Sequence, residues 1–326
     1  PLLRARPEGK PFFVWLASLD PHRPYDEGIL EQVHLPGAAR VAPYHPDTFG
    51  VRREYALYYD EITRLDRYVG KVLDKLERDD VLDRTLVMFI SDNGRPFPRD
   101  KTSLYDSGIR TPMLVRFPQK VEAGSVCREL VSSIDLAPTF LELAGLPTAE
   151  DFDGVSFLSL LIKPGGLPVR KYAYAEKNWH DYEDHSRAVR GPRFKYIRNH
   201  YNDLAPTPPA DAVRGVTYRT LVRMRDGGAL PGACGQLFWN PRPEEELYDC
   251  DADPHELNNL ADDVEHLSTL EEMRAALKRW ERETGDTVPG LRTADEFDRE
   301  TGKPTEARVR PRRSKAQMVK DGLTAP

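Results

Sequence analysis

The stretch Phe89-Ile90-Ser91-Asp92-Asn93-Gly94 restricts most strongly how this chain can fold. Residues Thr85 to Ile90 form a short, continuous, largely β-branched and apolar run, which suits a strand buried on both faces of a parallel sheet. The run ends abruptly in a carboxylate, a carboxamide and a glycine. Ligands of open α/β sheets sit just beyond the carboxyl ends of the strands. Asp92 and Asn93 are therefore expected to project into such a site, with Gly94 turning the chain. Their oxygens are hard donors and suit Ca²⁺ or Mg²⁺ better than zinc. The competing reading is a plain Asx turn that closes a strand, and the rest of the chain decides between them.

A second apolar run, Pro11 to Leu19, is predicted as a central strand and also ends in polar chemistry, Asp20-Pro21-His22-Arg23. Residues 25–50, rich in Pro, Gly and His, read as a long loop over the sheet edge. Tyr55, Tyr58, Ile62, Leu65, Val69, Val72 and Leu76 recur at steps of three and four, predicting a helix from Val51 to Arg78 with one apolar stripe. Asp60, Glu61 and Arg64 are expected on its other faces. Strand, helix and strand in this order predict a right-handed crossover that brings the ends at Asp20 and Asp92 to one sheet edge. Pro112 to Phe117 is a third strand candidate, and Ile134 to Leu143 a short helix.

The pattern changes after Lys163-Pro164-Gly165-Gly166. Tyr172 to Ala175, Arg187 to Arg190 and Arg193 to Arg198 read as short antiparallel strands, with a hairpin turn at Gly191-Pro192. Glu246 to Asp249 is an edge-strand candidate, residues 202–243 read as irregular, and His266 to Glu283 as an amphipathic helix. The expected fold class is α/β, a mostly parallel sheet flanked by helices, followed by a smaller α+β subdomain with an antiparallel sheet. The expected divisions are 1–163, 164–287, and a polar, disordered tail over 288–326.

Composition excludes some partners. The net charge of −6 argues against nucleic acid. No apolar run reaches the roughly 18 residues of a membrane span. Cys127, Cys234 and Cys250 lie far apart without metal-type spacing. The oxygen donors Asp92 and Asn93, the imidazole of His22 and the ammonium of Lys101 together make a site for a tetrahedral oxyanion ester. A cation would neutralise the oxyanion, Lys101 would add a point charge, and His22 would donate a hydrogen bond or a proton.

These residues carry a resemblance. Leu19-Asp20-Pro21-His22-Arg23, Ser91-Asp92-Asn93-Gly94-Arg95-Pro96-Phe97-Pro98, the loop Lys101 to Pro112, and Leu247-Tyr248-Asp249 with Asp253-Pro254-His255-Glu256 resemble the sulfatase family of the alkaline-phosphatase superfamily, in particular its heparan N-sulfatase branch. The resemblance runs from about Lys10 to Thr287. It implies an alkaline-phosphatase-like fold, with Asp92 and Asn93 as ligands of one Ca²⁺ and His22 and Lys101 as catalytic residues at the sulfate. It also implies His180 and His185 as substrate-facing residues, a sulfated sugar of heparan type as substrate, and a periplasmic or secreted location. The family's formylglycine arises in a C/S-x-P-x-R motif, which is absent here, as is its paired N-terminal Asp-Asp. The chain therefore reads as the C-terminal two-thirds of a sulfatase, inactive alone, with an exposed sheet edge that favours aggregation. The alternatives are a phosphatase or phosphodiesterase of the same superfamily and a non-catalytic binder of sulfated glycans.

Overall fold

The structure, a computed structural model, describes residue 7, residues 9–149 and residues 151–308. Helix α1 spans Phe49–Arg78, close to its predicted bounds. Thr48 Oγ1 accepts from Val51 N at 3.4 Å and so satisfies one of the free amides of the first turn. Val51, Tyr55 and Tyr58 bury against Ala39 and Phe97. Asp60 and Glu61, expected on the outer faces, are instead buried. The segment before α1 folds back over the helix, and its amides need acceptors there. Asp60 takes both N and Nδ1 of His34 at 2.8 Å, and Glu61 takes Asp26 N at 2.9 Å.

Strand β1 (Val87–Ile90) pairs antiparallel with β2 (Met113–Arg116), with Val87 opposite Arg116 and Ile90 opposite Met113. A single turn, α2 (Asp106–Ile109), lies between them in the chain. Pro11 to Leu19, predicted as a central strand, takes no strand pairing among the described residues. Phe13, Trp15 and Leu16 stand 71%, 78% and 65% exposed. A strand needs a neighbouring strand for its amides, and no described strand pairs with this segment, so the predicted parallel crossover is not formed within the described residues. Both sheets described are antiparallel. Helices α3 (Leu136–Leu143) and α4 (Leu158–Ile162) follow.

The second part is built on the expected antiparallel sheet. Strands β3 (Ala173–Lys177), β4 (Ser186–Arg190), β5 (Phe194–Asn199) and β6 (Glu245–Asp249) lie in that order, with β6 on the edge. Gly191 N donates to Phe194 O at 2.8 Å and closes the predicted hairpin. Two short helices interrupt the stretch read as irregular, α5 (Ala210–Val213) and α6 (Val216–Asp226). Helix α7 (Leu267–Thr284) lays Leu270, Met273, Ala276 and Leu277 on one face of the sheet, against Tyr172, Val189, Tyr196 and Leu247. The opposite face, through Ala188, Ile197 and Tyr248, receives Leu104 and Tyr105. The loop that carries Lys101 is thus packed directly on the sheet.

Residues 288–308 do not form the expected loose tail. Glu296 and Phe297 are buried, Phe297 bridges Pro304, and Arg299 donates to Glu183 O at 2.7 Å. Residues 309–326, with most of the basic run, lie outside the described residues.

Candidate functional site

The loop from Ser91 to Arg110 is the meeting point of the structure. Gly94 N donates to Gly108 O at 2.9 Å, and a Cβ on Gly94 would sit 2.0 Å from Ser107 O, so only glycine permits this approach. Lys101 N donates to Arg95 O at 3.0 Å. Asp92, Asn93 and Lys101 therefore stand on one closed loop. Asp92 is exposed. Asn93 Nδ2 donates to Gly94 O at 2.7 Å, which leaves its Oδ1 for a cation.

The segment carrying His22 meets this loop by a different route from the predicted crossover. Arg23 Nε donates to Pro96 O at 2.7 Å and pins the segment carrying His22 onto the loop. His22 is exposed, and its Nδ1 donates to Arg23 O at 2.5 Å, leaving Nε2 as the outward nitrogen. Asp20 is taken up by Arg64, at 2.6 and 2.7 Å.

Beneath the loop lies a support that the sequence reading passed over. His45 Nε2 donates to Pro98 O at 2.7 Å, and Tyr55 Oη donates to its Nδ1 at 2.6 Å. Burial lowers the pKa of His45 and favours this neutral, one-tautomer arrangement. Tyr44 Oη donates to Asp100 at 2.7 Å, and Arg95 Nε reaches the other oxygen of Asp100 at 3.0 Å. The clustered Arg95, Arg99 and Lys101 around Pro96 and Pro98 were the available signal, yet pairing across 50 residues is not readable from spacing.

His180 and His185 are not brought to Lys101 together. His180 borders a small cavity with Thr102 and Lys177, its Nδ1 3.3 Å from Asp181. His185 is 2% exposed and packs edge-on to His200, with ring centroids 5.1 Å apart. It borders neither cavity, whereas the next residue, Ser186, lines the one beside Lys101.

Asp106, Cys250 and Glu256 place ligand atoms within 4.8 Å of one another. The centre is already held by a side-chain cation. Lys195 Nζ lies 2.5 Å from Asp106 and 2.7 Å from Glu256, and Arg190 approaches Asp106 at 3.3 Å. Burial pushes the Cys250 thiol up to about 12, so it remains a neutral thiol. This cluster fits an internal salt bridge rather than a metal.

Comparison with known proteins follows the same loop. A family model described as Sulfatase matches residues 2–146, and one described as N-sulphoglucosamine sulphohydrolase, C-terminal, matches residues 97–206. An ulvan-active sulfatase of Formosa agariphila is 40% identical over 248 residues, covering 76% of this chain and 41% of that protein. Human N-sulphoglucosamine sulphohydrolase is 30% identical over 312 residues, covering 86% and 62%. The chain thus spans 41% to 62% of the length of these relatives. A solved structure described as a complex with its substrate D-glucosamine-2-N, 6-O-disulfate superposes with a TM-score of 0.56 at 25% identity, over 78% of this chain and 45% of that one. A putative sulfatase of Bacteroides thetaiotaomicron gives 0.58 at 23%, over 77% and 48%.

Proposed function

The chain belongs to the sulfatase family, and from that premise we propose that it serves the hydrolysis of a sulfuric ester or N-sulfamate on a sulfated sugar of heparan type. One observation carries this reading. Asp92, Asn93 and Lys101 share a loop closed by Gly94 and Lys101, and Arg23 holds His22 beside it. Metal use is general in the family, and Ca²⁺ fits the donors here. Asp92 and Asn93 would supply about three of its roughly 6–8 oxygens. When bound, the cation neutralises negative charge at the sulfate. Lys101 supplies a point charge to the outer sulfate oxygens. His22, through Nε2, donates to the leaving oxygen or nitrogen. His180, at the rim of the small cavity, faces the sugar. A nucleophile motif is not found in these 326 residues, so cleavage is assigned to the whole protein and not to a step within this chain. Periplasmic or secreted placement belongs to the same proposal; no described helix is long and apolar enough to cross a membrane.

The test is sulfate release by the full-length natural protein from N-sulfated and O-sulfated glucosamine, with and without calcium. Asp92→Ala should abolish both turnover and the calcium response, and Lys101→Ala should lower kcat by about 10²-fold or more. Undiminished turnover in Asp92→Ala would refute the assignment.

A further inference from the structure

Behind Lys101, between the loop and the four-stranded sheet, is a cavity of ≈ 40 Å³ bordered by Arg99, Lys101, Lys177 and Arg242, with Glu246 as its carboxylate. Most of this charge is matched. Lys177 Nζ lies 2.8 Å from Asp184, which also accepts from Arg242 Nη1 at 3.2 Å. Glu246 is occupied by Tyr105 Oη at 2.8 Å, Tyr248 Oη at 2.6 Å and Asn199 Nδ2 at 2.6 Å.

Arg99 is the buried exception. It is 3% exposed, and its donors meet only neutral acceptors: Nε to Gln236 Oε1 at 2.5 Å and Nη2 to Glu256 O at 2.7 Å. Among the described residues no carboxylate lies at ion-pair distance from it. The rings of Tyr105 and Tyr44, at 3.8 and 4.6 Å, give partial compensation. Its Nη1 is buried without a hydrogen-bond partner, and so is Nε of Arg242. A guanidinium does not shed its proton, and a buried charge without a counter-charge is costly. The backbone is held here against strain, with φ of +67° at Arg99 and +65° at Thr102 on either side of Lys101.

We propose that this cavity is an anion subsite that takes a sulfate group, with Arg99 Nη1 and Arg242 Nε as its donors. A water needs about 10–15 Å³ of such volume, so the cavity admits a sulfate-sized group and not a sugar ring. The inference rests on the proposed reaction for its ligand, which is either a second sulfate on the sugar or the free ion.

The full chain is titrated calorimetrically with sodium sulfate, as wild type and as Gln236→Glu. The new carboxylate would give Arg99 an internal counter-charge at its Nε contact. Sulfate affinity should fall about tenfold or more; the substitution also forfeits the donation of Gln236 Nε2 to Glu256 O at 2.9 Å, so affinity and not the thermal midpoint is the readout. Arg99→Met, which keeps the stem and removes the charge, should show the same loss and serves where Gln236→Glu does not fold. Equal sulfate affinity in wild type and variants, or no sulfate binding to the wild type, overturns the proposal. Disulfated glucosamine binding more tightly than the monosulfated sugar, with that advantage lost in Gln236→Glu, identifies a sugar-borne sulfate. Equal binding of the two sugars, beside a sulfate-ion response that the variant loses, identifies the free ion. Asp92→Ala leaves sodium sulfate binding at this cavity intact, so the subsite and the proposed reaction can fail separately.

Discussion

Replacing Lys195 by Met tests whether the Lys101 loop is held by a buried charge network. Lys195 is fully buried, with Nζ 2.5 Å from Asp106 and 2.7 Å from Glu256, itself 1% exposed. Asp106 keeps Arg190 at 3.3 Å when the lysine is removed, but Glu256 loses its cation. Removing one partner of a buried ion pair costs about 3–5 kcal/mol. At roughly 2–4 °C per kcal/mol, the thermal midpoint should fall by about 6–20 °C. The two carboxylates differ in the wild type. Burial raises the pKa of Glu256 against the pull of Lys195. Burial also opposes ionisation of Asp106, yet Lys195 and then Arg190 hold it below the usual carboxylate range. Without Lys195, Glu256 rises further, so the folded variant binds a proton that the unfolded chain has lost. A raised folded pKa gives stability at low pH that is lost as pH rises through it. The gap between wild type and variant should therefore narrow from pH 7.5 to pH 5. Differential scanning calorimetry at the two values reads it. Adding Glu256→Gln to the variant should recover part of the loss, because no unpaired charge then remains. A midpoint within about 1 °C of wild type at pH 7.5, or a gap that widens toward pH 5, would refute the reasoning.

Three further changes probe the same architecture. Gly94→Ala places a Cβ 2.0 Å from Ser107 O, so the loop must open; a loss of about 2–4 kcal/mol in denaturant unfolding is expected. Phe97→Ala empties a wholly buried site among Tyr25, Tyr55 and Tyr58 and should cost about 3–5 kcal/mol by the same measurement. Glu54→Ala removes the acceptor for Val216 N, Thr217 N, Thr217 Oγ1 and Arg23 Nη1, and should cost about 3–5 kcal/mol at neutral pH. Burial opposes ionisation of Glu54, but Arg23 and Thr217 hold its pKa low. Its contribution is present above the ordinary carboxylate pKa and lost as pH falls through the folded value, so this deficit should close below about pH 4.

The parts of the structure that were legible in the sequence share a local cause. Helix α1 and the antiparallel hairpin of β4 and β5 follow from periods of 3.6 and 2. Asp92, Asn93 and Lys101 were legible because they sit within ten residues on one loop after a strand. Pro11 to Leu19 misled because an apolar run states only that cover is wanted, not what provides it. Asp60 and Glu61 misled because their faces are decided by amides of a loop more than 20 residues away. Helix α6 was missed since Val216, Thr217 and Thr220 are β-branched and depress helix propensity. Its first turn is secured by Glu54, a residue 162 positions earlier.

The loop from Ser91 to Arg110 has two unlike sides, and the difference has a mechanical meaning. Asp92 and His22 are open to solvent, whereas Phe97, Arg99 and Asp100 behind them are almost wholly buried and each has partners from a distant element. A site that must bind a charged group without reorganising needs this arrangement, because a donor that moves on binding loses part of what it gains. Lys101 joins the two sides, with its backbone bonded to Arg95 O and its side chain bordering the Arg99 cavity. On the proposed function, substitutions at Asp92 or His22 of the full-length protein should then change binding and turnover while leaving stability nearly intact. Substitutions at Phe97 or Lys195 should lower stability and, through the displaced Lys101, turnover as well. A buried change that lowered stability by several kcal/mol and left turnover per folded molecule untouched would show that the loop reaches its working geometry without the support behind it.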